Sequence, residues 1–142
     1  MPTTQADIVA FLDRRTEALR RKDIDQLMSF YAPDVVYFDL VPPLRYLGAA
    51  ALRSRFVDWF EGWHSAISQE VRDLTVLASD EVAAAHMLIR TSGTRTNGQH
   101  VGYWVRATDF CKRSGQGWLI THEHISVPVD VKSRSAVMDL VP

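Results

Sequence analysis

Two histidines and a serine alternate near the end of the chain, in Trp118-Leu119-Ile120-Thr121-His122-Glu123-His124-Ile125-Ser126-Val127-Pro128. The stretch reads as a strand, whose side chains point alternately to opposite faces. That puts Trp118, Ile120, His122, His124 and Ser126 on one face and Leu119, Thr121, Glu123, Ile125 and Val127 on the other. Three polar groups in line with a Trp describe the wall of a cavity better than plain core. Two imidazoles about 7 Å apart along a strand can trade protons or hydrogen bonds with a ligand near neutral pH. The same pair also fits hydrogen bonds to backbone or carboxylate, or an interface between copies. A metal centre would need a third ligand such as His86 or Asp39, and no ligand spacing supports one, so no metal is expected. Ser126 lacks the tight strand-to-helix turn that exposes a nucleophilic serine. Cys111 has no local cue for a reactive thiol. Glu123, opposite the histidines, is expected to meet solvent or a cross-strand Arg such as Arg90 or Arg72.

These residues need elements to hold them. Residues near 5–21 read as a helix, with Thr4 and Asp7 forming a capping box and Ile8, Leu12 and Leu19 one apolar stripe. Arg15 falls on that stripe, which is unusual for a charge. A short helix from about Ile24 to Ala32 follows, capped by Asp23 and ended by Pro33. Val35-Val36-Tyr37-Phe38-Asp39-Leu40 is rich in strand formers and is closed by Pro42-Pro43. Gly48 opens a third helix, where Leu52, Phe56, Trp59, Phe60 and Trp63 make a wide apolar face. Those aromatics read first as core, although Trp59 or Phe60 can also wall a pocket. From Ser68 the period becomes two, predicting strands near 68–78, 82–94, 99–113 and 117–130. Asn97-Gly98 is the strongest hairpin signal. Helices followed by a meander of long strands predict an α+β fold, with the helices on one face of a bent antiparallel sheet that can enclose a conical pocket.

Composition narrows the partners. The chain has 142 residues, 46% hydrophobic and 23% charged, with a net charge of −1. That predicts one domain over 1–142, with a core at about 5–130 and a tail at 131–142. Near-neutral charge gives no footprint for nucleic acid or anionic lipid. No apolar run reaches the roughly 20 residues of a membrane helix. The N-terminal MPTTQADIVAF lacks a basic stretch and a long apolar run, so no secretory leader is expected. A lone Cys suits a cytoplasmic setting. No Gly-rich phosphate loop or metal spacing appears, so no cofactor is expected.

The order of elements resembles the ketosteroid-isomerase-like and SnoaL-like fold, shared with nuclear transport factor 2. The resemblance covers about 5–130. It rests on Asp23-Ile24-Asp25, Phe30-Tyr31-Ala32-Pro33-Asp34, Gly48, Arg106-Ala107-Thr108 and the segment Trp118 to Ser126. That last segment is also similar to the end of the calcium/calmodulin-dependent kinase II association domain. The fold hosts both enzymes and non-enzymes, so it implies a cone-shaped pocket more firmly than a reaction.

The resemblance places Asp39 at the position of the isomerase general base and Asp109 near its protonated, hydrogen-bonding Asp. Arg15 stands where the family has an oxyanion-hole Tyr; being always charged, it suits a carboxylate or enolate instead. Burial on a cavity wall would raise the pKa of Asp39 into a useful range; a cap or turn before Pro42-Pro43 is the plainer role. Asp109 shares a face with Tyr103, Val105 and Ala107, whereas Trp104, Arg106 and Thr108 share the other. The isomerase comparison turns Asp109 inward; the polar character of Trp104 and Arg106 turns that face inward to meet His122 or His124. A bulge would reconcile the two. The expected catalytic residues are Asp39, His124 and Asp109, with Arg15, Trp59, Trp104, Arg106 and His122 binding the substrate. The expected activity is proton transfer on a hydrophobic, carbonyl-containing small molecule, as in an isomerase, cyclase or dehydratase. The alternative is a non-catalytic ligand-binding or oligomerisation module like the kinase association domain. Either way, the apolar sheet face opposite the helices predicts a homodimer.

Overall fold

The computed structural model describes residues 4–142. Helix α1 (Gln5–Arg20) begins at the expected capping box, in which Thr4 and Asp7 satisfy each other's backbone N–H groups. Helix α2 (Ile24–Met28) is capped by Asp23, whose side chain accepts from the Gln26 N–H. It ends earlier than Pro33 would require. Tyr31–Phe38 instead forms strand β1, and Tyr31 already pairs with Ile120 of the last long strand. The pairing of β1 is irregular between Tyr31 and Val36, around a Pro33 that has no N–H to give.

Strand β2 (Tyr46–Leu47) is short, and Gly48, at φ +86°, leads into α3 (Ala49–Glu61). Strands β3 (Ser68–Ala78), β4 (Val82–Thr94), β5 (His100–Ser114) and β6 (Gly117–Ser126) then form the antiparallel meander. A small hairpin of β7 (Val129–Asp130) and β8 (Ser135–Ala136) closes the chain. The six-stranded sheet runs β2-β1-β6-β5-β4-β3. It is mixed, because β1 lies parallel to β6. The three helices pack on one face, and the core lies between, with Ile8, Leu19, Leu27, Leu52, Ile67 and Ile120 fully enclosed.

Two irregularities shape the inner surface. In β3 the pairing shifts between Arg72 and Thr75, where Asp73 takes φ +56°. In β6 it shifts opposite Phe110 and Cys111, whose partners are His122 and Ile120. Thr121 is the extra residue, and its hydroxyl donates to the Phe110 carbonyl at 3.2 Å. A bulge of this kind sharpens twist and reverses which side chains face in. Trp118 and Ile120 point into the core before it; Glu123, Ile125 and Val127 point in after it.

Candidate active site

Between helices and sheet lies a cavity with about 560 Å³ of open space, its mouth included. Arg15 and Leu19 of α1 form one wall and Arg55, Phe56 and Trp59 of α3 another. The sheet contributes Tyr37, Asp39 and Leu40 from β1 and its exit, Gln69, Ile89 and Thr91 from β3 and β4, and Tyr103, Val105 and Ile125 from β5 and β6. The lining is mostly apolar with a few polar groups, as in sites for small organic molecules.

Asp39 follows β1 and keeps the inward side of Tyr37, two residues before it. Its side chain is only 9% exposed. One oxygen accepts from the Leu40 N–H at 2.7 Å, and the other accepts from Arg55 Nε at 2.7 Å. Burial works against the Arg55 charge, yet the hydrogen bond and the charge of Asp39 outweigh it and raise the Arg55 pKa. Burial also pushes the Tyr37 and Tyr103 phenols up, Tyr37 furthest. Both are therefore neutral O–H groups near physiological pH, able to donate to a developing oxyanion.

Behind Arg15 lies a fully buried polar network. Arg15 Nη2 meets Glu123 Oε1 at 2.8 Å, its Nε donates to the Tyr31 hydroxyl at 3.0 Å, and that hydroxyl donates to Glu123 Oε1 at 2.9 Å. Asp109 completes it. Burial, then the Glu123 charge, hold the Asp109 pKa well above the usual carboxylate range. Burial also acts against the Glu123 anion, but Arg15 and three hydrogen bonds, one of them from Asp109, lower its pKa overall. Asp109 Oδ1 and Glu123 Oε2 have no other partner among the described residues. A proton carried by Asp109 and shared with Glu123 satisfies both, and leaves one anion for one cation.

The fold brings together Arg15, Asp39 and Trp59 of the expected residues. Asp109 points inward, as the isomerase comparison requires, but it sits in the network behind Arg15 and does not line the cavity. Four others lie on the outer face of the sheet. Trp104 stacks under the Arg72 guanidinium, and Arg106 donates to Ser126. His122 bonds the Val36 carbonyl through Nδ1 at 2.7 Å, and His124 is exposed beside Phe38. The bulge at Thr121 turns both histidines out. Glu123 is correspondingly neither solvent-facing nor paired with Arg90 or Arg72, but enclosed with Arg15. Sequence reasoning missed Arg55, Tyr37, Gln69, Thr91 and Tyr103. Arg55 left a signal: it lies three residues after Leu52 and four before Trp59, on the apolar stripe of its helix. Among the described residues no three His, Cys, Asp or Glu side chains are gathered to hold a metal ion. None of the helices described is long and apolar enough to cross a membrane.

No curated protein matches the sequence. Solved structures do. An NTF2-like protein of unknown function from Pseudomonas putida KT2440 is 30% identical over 100% of both chains, with a TM-score of 0.88. A candidate calcium/calmodulin dependent protein kinase II association domain from Xanthomonas campestris is 21% identical over 91% of each chain, with a TM-score of 0.80. A ketosteroid isomerase-like protein from Erwinia carotovora atroseptica SCRI1043 is 20% identical, over 85% of this chain and 93% of that one, with a TM-score of 0.72. The SnoaL-like domain model matches residues 8–130, most of the chain. With the helices packed over one face of the sheet, this makes the chain a member of the SnoaL-like family, within the NTF2-like superfamily, and its fold is shared with the ketosteroid isomerase-like protein.

Proposed function

We propose that this SnoaL-like protein is a proton-transfer enzyme, requiring no cofactor, that acts on a hydrophobic, carbonyl-containing small molecule. The observation that carries the reading is Asp39: a carboxylate almost wholly withdrawn from water, on the wall of an apolar cavity, aimed by Arg55 at 2.7 Å. Asp39 takes a proton from the carbon beside the substrate carbonyl. Tyr37 or Tyr103, held neutral, donates a hydrogen bond to the enolate oxygen. Returned to the same carbon, the proton gives exchange; returned to the far end of a conjugated enolate, it gives isomerisation. Where the enolate instead attacks an internal carbonyl or expels a β-substituent, Asp39 passes the proton to the new alkoxide or to the leaving group, which gives ring closure or elimination. Phe56, Trp59 and Ile89 keep the carbanion out of water. Arg55 is a positioning residue, because its charge is committed to Asp39.

A second reading has its own support. Both Asp39 oxygens already hold hydrogen bonds, and the Arg15 charge is matched by Glu123. A pocket so satisfied suits a ligand-binding or assembly module. Solvent exchange separates the two. A panel of cyclic ketones, 2-tetralone among them, is incubated with protein in D₂O, and deuterium uptake beside the carbonyl is followed by NMR. The enzyme reading expects uptake faster than in buffer, with Asp39→Asn slower by about 100-fold or more. Binding by calorimetry with no acceleration for any bound ketone would overturn it in favour of the module. Under either reading the protein is proposed to be a cytoplasmic homodimer formed through the outer face of the sheet, with 1–142 as one domain.

A further inference from the structure

The far side of the cavity holds a polar pair that the proton-transfer scheme does not use. Gln69 of β3 and Thr91 of β4 are neighbours on the inner face, and Gln69 Nε2 donates to Thr91 Oγ1 at 3.2 Å. Thr91 is buried, and Gln69 Oε1 is enclosed with no hydrogen-bond partner among the described residues. A buried carbonyl oxygen left unpaired is costly, and sites that keep one commonly present it to a ligand. Because Thr91 Oγ1 accepts from Gln69, its own proton is free to donate. The pair therefore offers one acceptor and one donor side by side. A hydroxyl, which donates and accepts, answers both at once. A hydroxyl answers them equally if the amide is turned over, since Thr91 and Gln69 then exchange roles.

Asp39 and this pair stand well apart in the cavity. Asp39 leaves β1, and Thr91 lies on β4, with β6 and β5 between. The register also sets Thr91 four residues along β4 from Met87, the residue level with Asp39. The two are thus separated along the strands as well as across them, and a ligand that reaches both needs an extended, ring-containing skeleton.

We infer that Gln69 and Thr91 form a specificity subsite for a hydroxyl group at the end of the substrate remote from its carbonyl. The substrate class is thus a hydroxylated, ring-containing ketone rather than a bare hydrocarbon ketone. This rests on the cavity being the ligand site proposed above, but not on Asp39 being catalytic.

The test is a matched pair of probes, 2-tetralone and 6-hydroxy-2-tetralone, titrated by calorimetry. Wild type is expected to bind the hydroxylated probe about 10- to 100-fold more tightly. Gln69→Leu and the isosteric Thr91→Val are each expected to erase that preference while binding 2-tetralone no worse than wild type. If Gln69→Leu fails to fold, Thr91→Val decides alone. Equal affinity of wild type for the two probes, binding of neither, or a preference that survives both substitutions would overturn the inference. Asp39→Asn separates the two proposals: it is expected to keep the preference for the hydroxyl while losing deuterium exchange. A preference without exchange in wild type would uphold the subsite and remove the enzyme.

Discussion

A lone Arg on the apolar stripe of α1 is the residue-scale oddity that the sequence displayed openly, and the fold explains it. Arg15 is buried because Glu123 and Tyr31 meet it inside the protein. Its partner was illegible, since simple alternation sends Glu123 outward and only the extra residue at Thr121 sends it in. The network carries two carboxyls for one guanidinium, and its proton has a measurable consequence. In the unfolded chain Asp109 releases its proton near pH 3.9; in the fold it keeps that proton well above the usual range. Between those two pH values the native state binds more protons than the unfolded state, so this residue lowers stability as pH rises. Glu123 acts in the opposite sense: its lowered pKa adds stability above the ordinary glutamate range, and that is lost as pH falls through the folded value. Asp109→Asn keeps a donor for Glu123 and removes the titration. Urea midpoints between about pH 5 and 8 should therefore show the variant gaining on wild type by up to about 1.4 kcal/mol per pH unit. Parallel curves would mean that Asp109 holds no proton. Cys111, on the next inward position, feels the same surroundings: burial, then Asp109 and Glu123, push its thiol up to about 12, in keeping with its reading as inert.

At the scale of elements, local chemistry was readable and long-range pairing was not. The predicted strands 68–78 and 82–94 coincide with β3 and β4, because alternation, β-branched residues and the turn at Ser79-Asp80 all agree. The capping box and the Asn97-Gly98 turn also stand where expected, with Gly98 at φ +86°. Failures came where a distant partner decides. Phe30 to Ala32 looked like the end of a helix until β6 claimed Tyr31, and a β1 lying parallel to β6 leaves no mark in either segment. The bulge in β6 exchanged the two faces of the most polar strand and turned His122 and His124 out, while β5, paired with β4 without a shift, turns Asp109 in and Trp104 and Arg106 out. One close approach packs the turn after α3 against the sheet. Gly93 of β4 lies against the turn after α3, and a Cβ there would sit 2.8 Å from Ser65 Oγ and 3.0 Å from both the Ala66 carbonyl and the Trp63 ring. Backbone and a buried indole cannot yield as a flexible side chain would. Gly93→Ala should destabilise by about 1–3 kcal/mol, read as a lower urea midpoint with an unchanged slope. A midpoint equal to that of wild type would show that the turn moves freely, and that it does not brace the helices against the sheet.

Across the whole molecule, one face of the sheet is covered by helices and the other is open. Leu77, Val82 and Phe110 lie on that open face with 69, 57 and 50% of their surface exposed, around a shallow apolar depression. Beside it Phe38 meets His122 and His124 edge to face, and Phe110 lies tilted against His122. The histidines whose spacing first suggested a cavity thus belong to the outer surface, and their aromatic neighbours fit the interface role that the sequence had left open for them. An apolar patch with a polar rim, here Arg72, Arg90, Arg106 and His86, is the composition of a surface that pairs. Two-fold pairing would set Phe110 of each copy near the centre and withdraw all three exposed side chains from water. Light scattering at tens of micromolar should give twice the mass of the chain. Phe110→Glu places a charge at the centre of the patch, on the face of the sheet opposite the Asp39 cavity. It should weaken association by about 30-fold or more, the loss of a single interface anchor worth roughly 2 kcal/mol. Far-ultraviolet circular dichroism should stay unchanged, because Phe110 contributes nothing to the inner core. A wild-type protein that scatters as a monomer at that concentration would leave the patch without its partner and sink the homodimer. A dimer untouched by Phe110→Glu would move the interface to another surface, and the exposed Val129 and Val131 of the C-terminal hairpin would be the next to substitute.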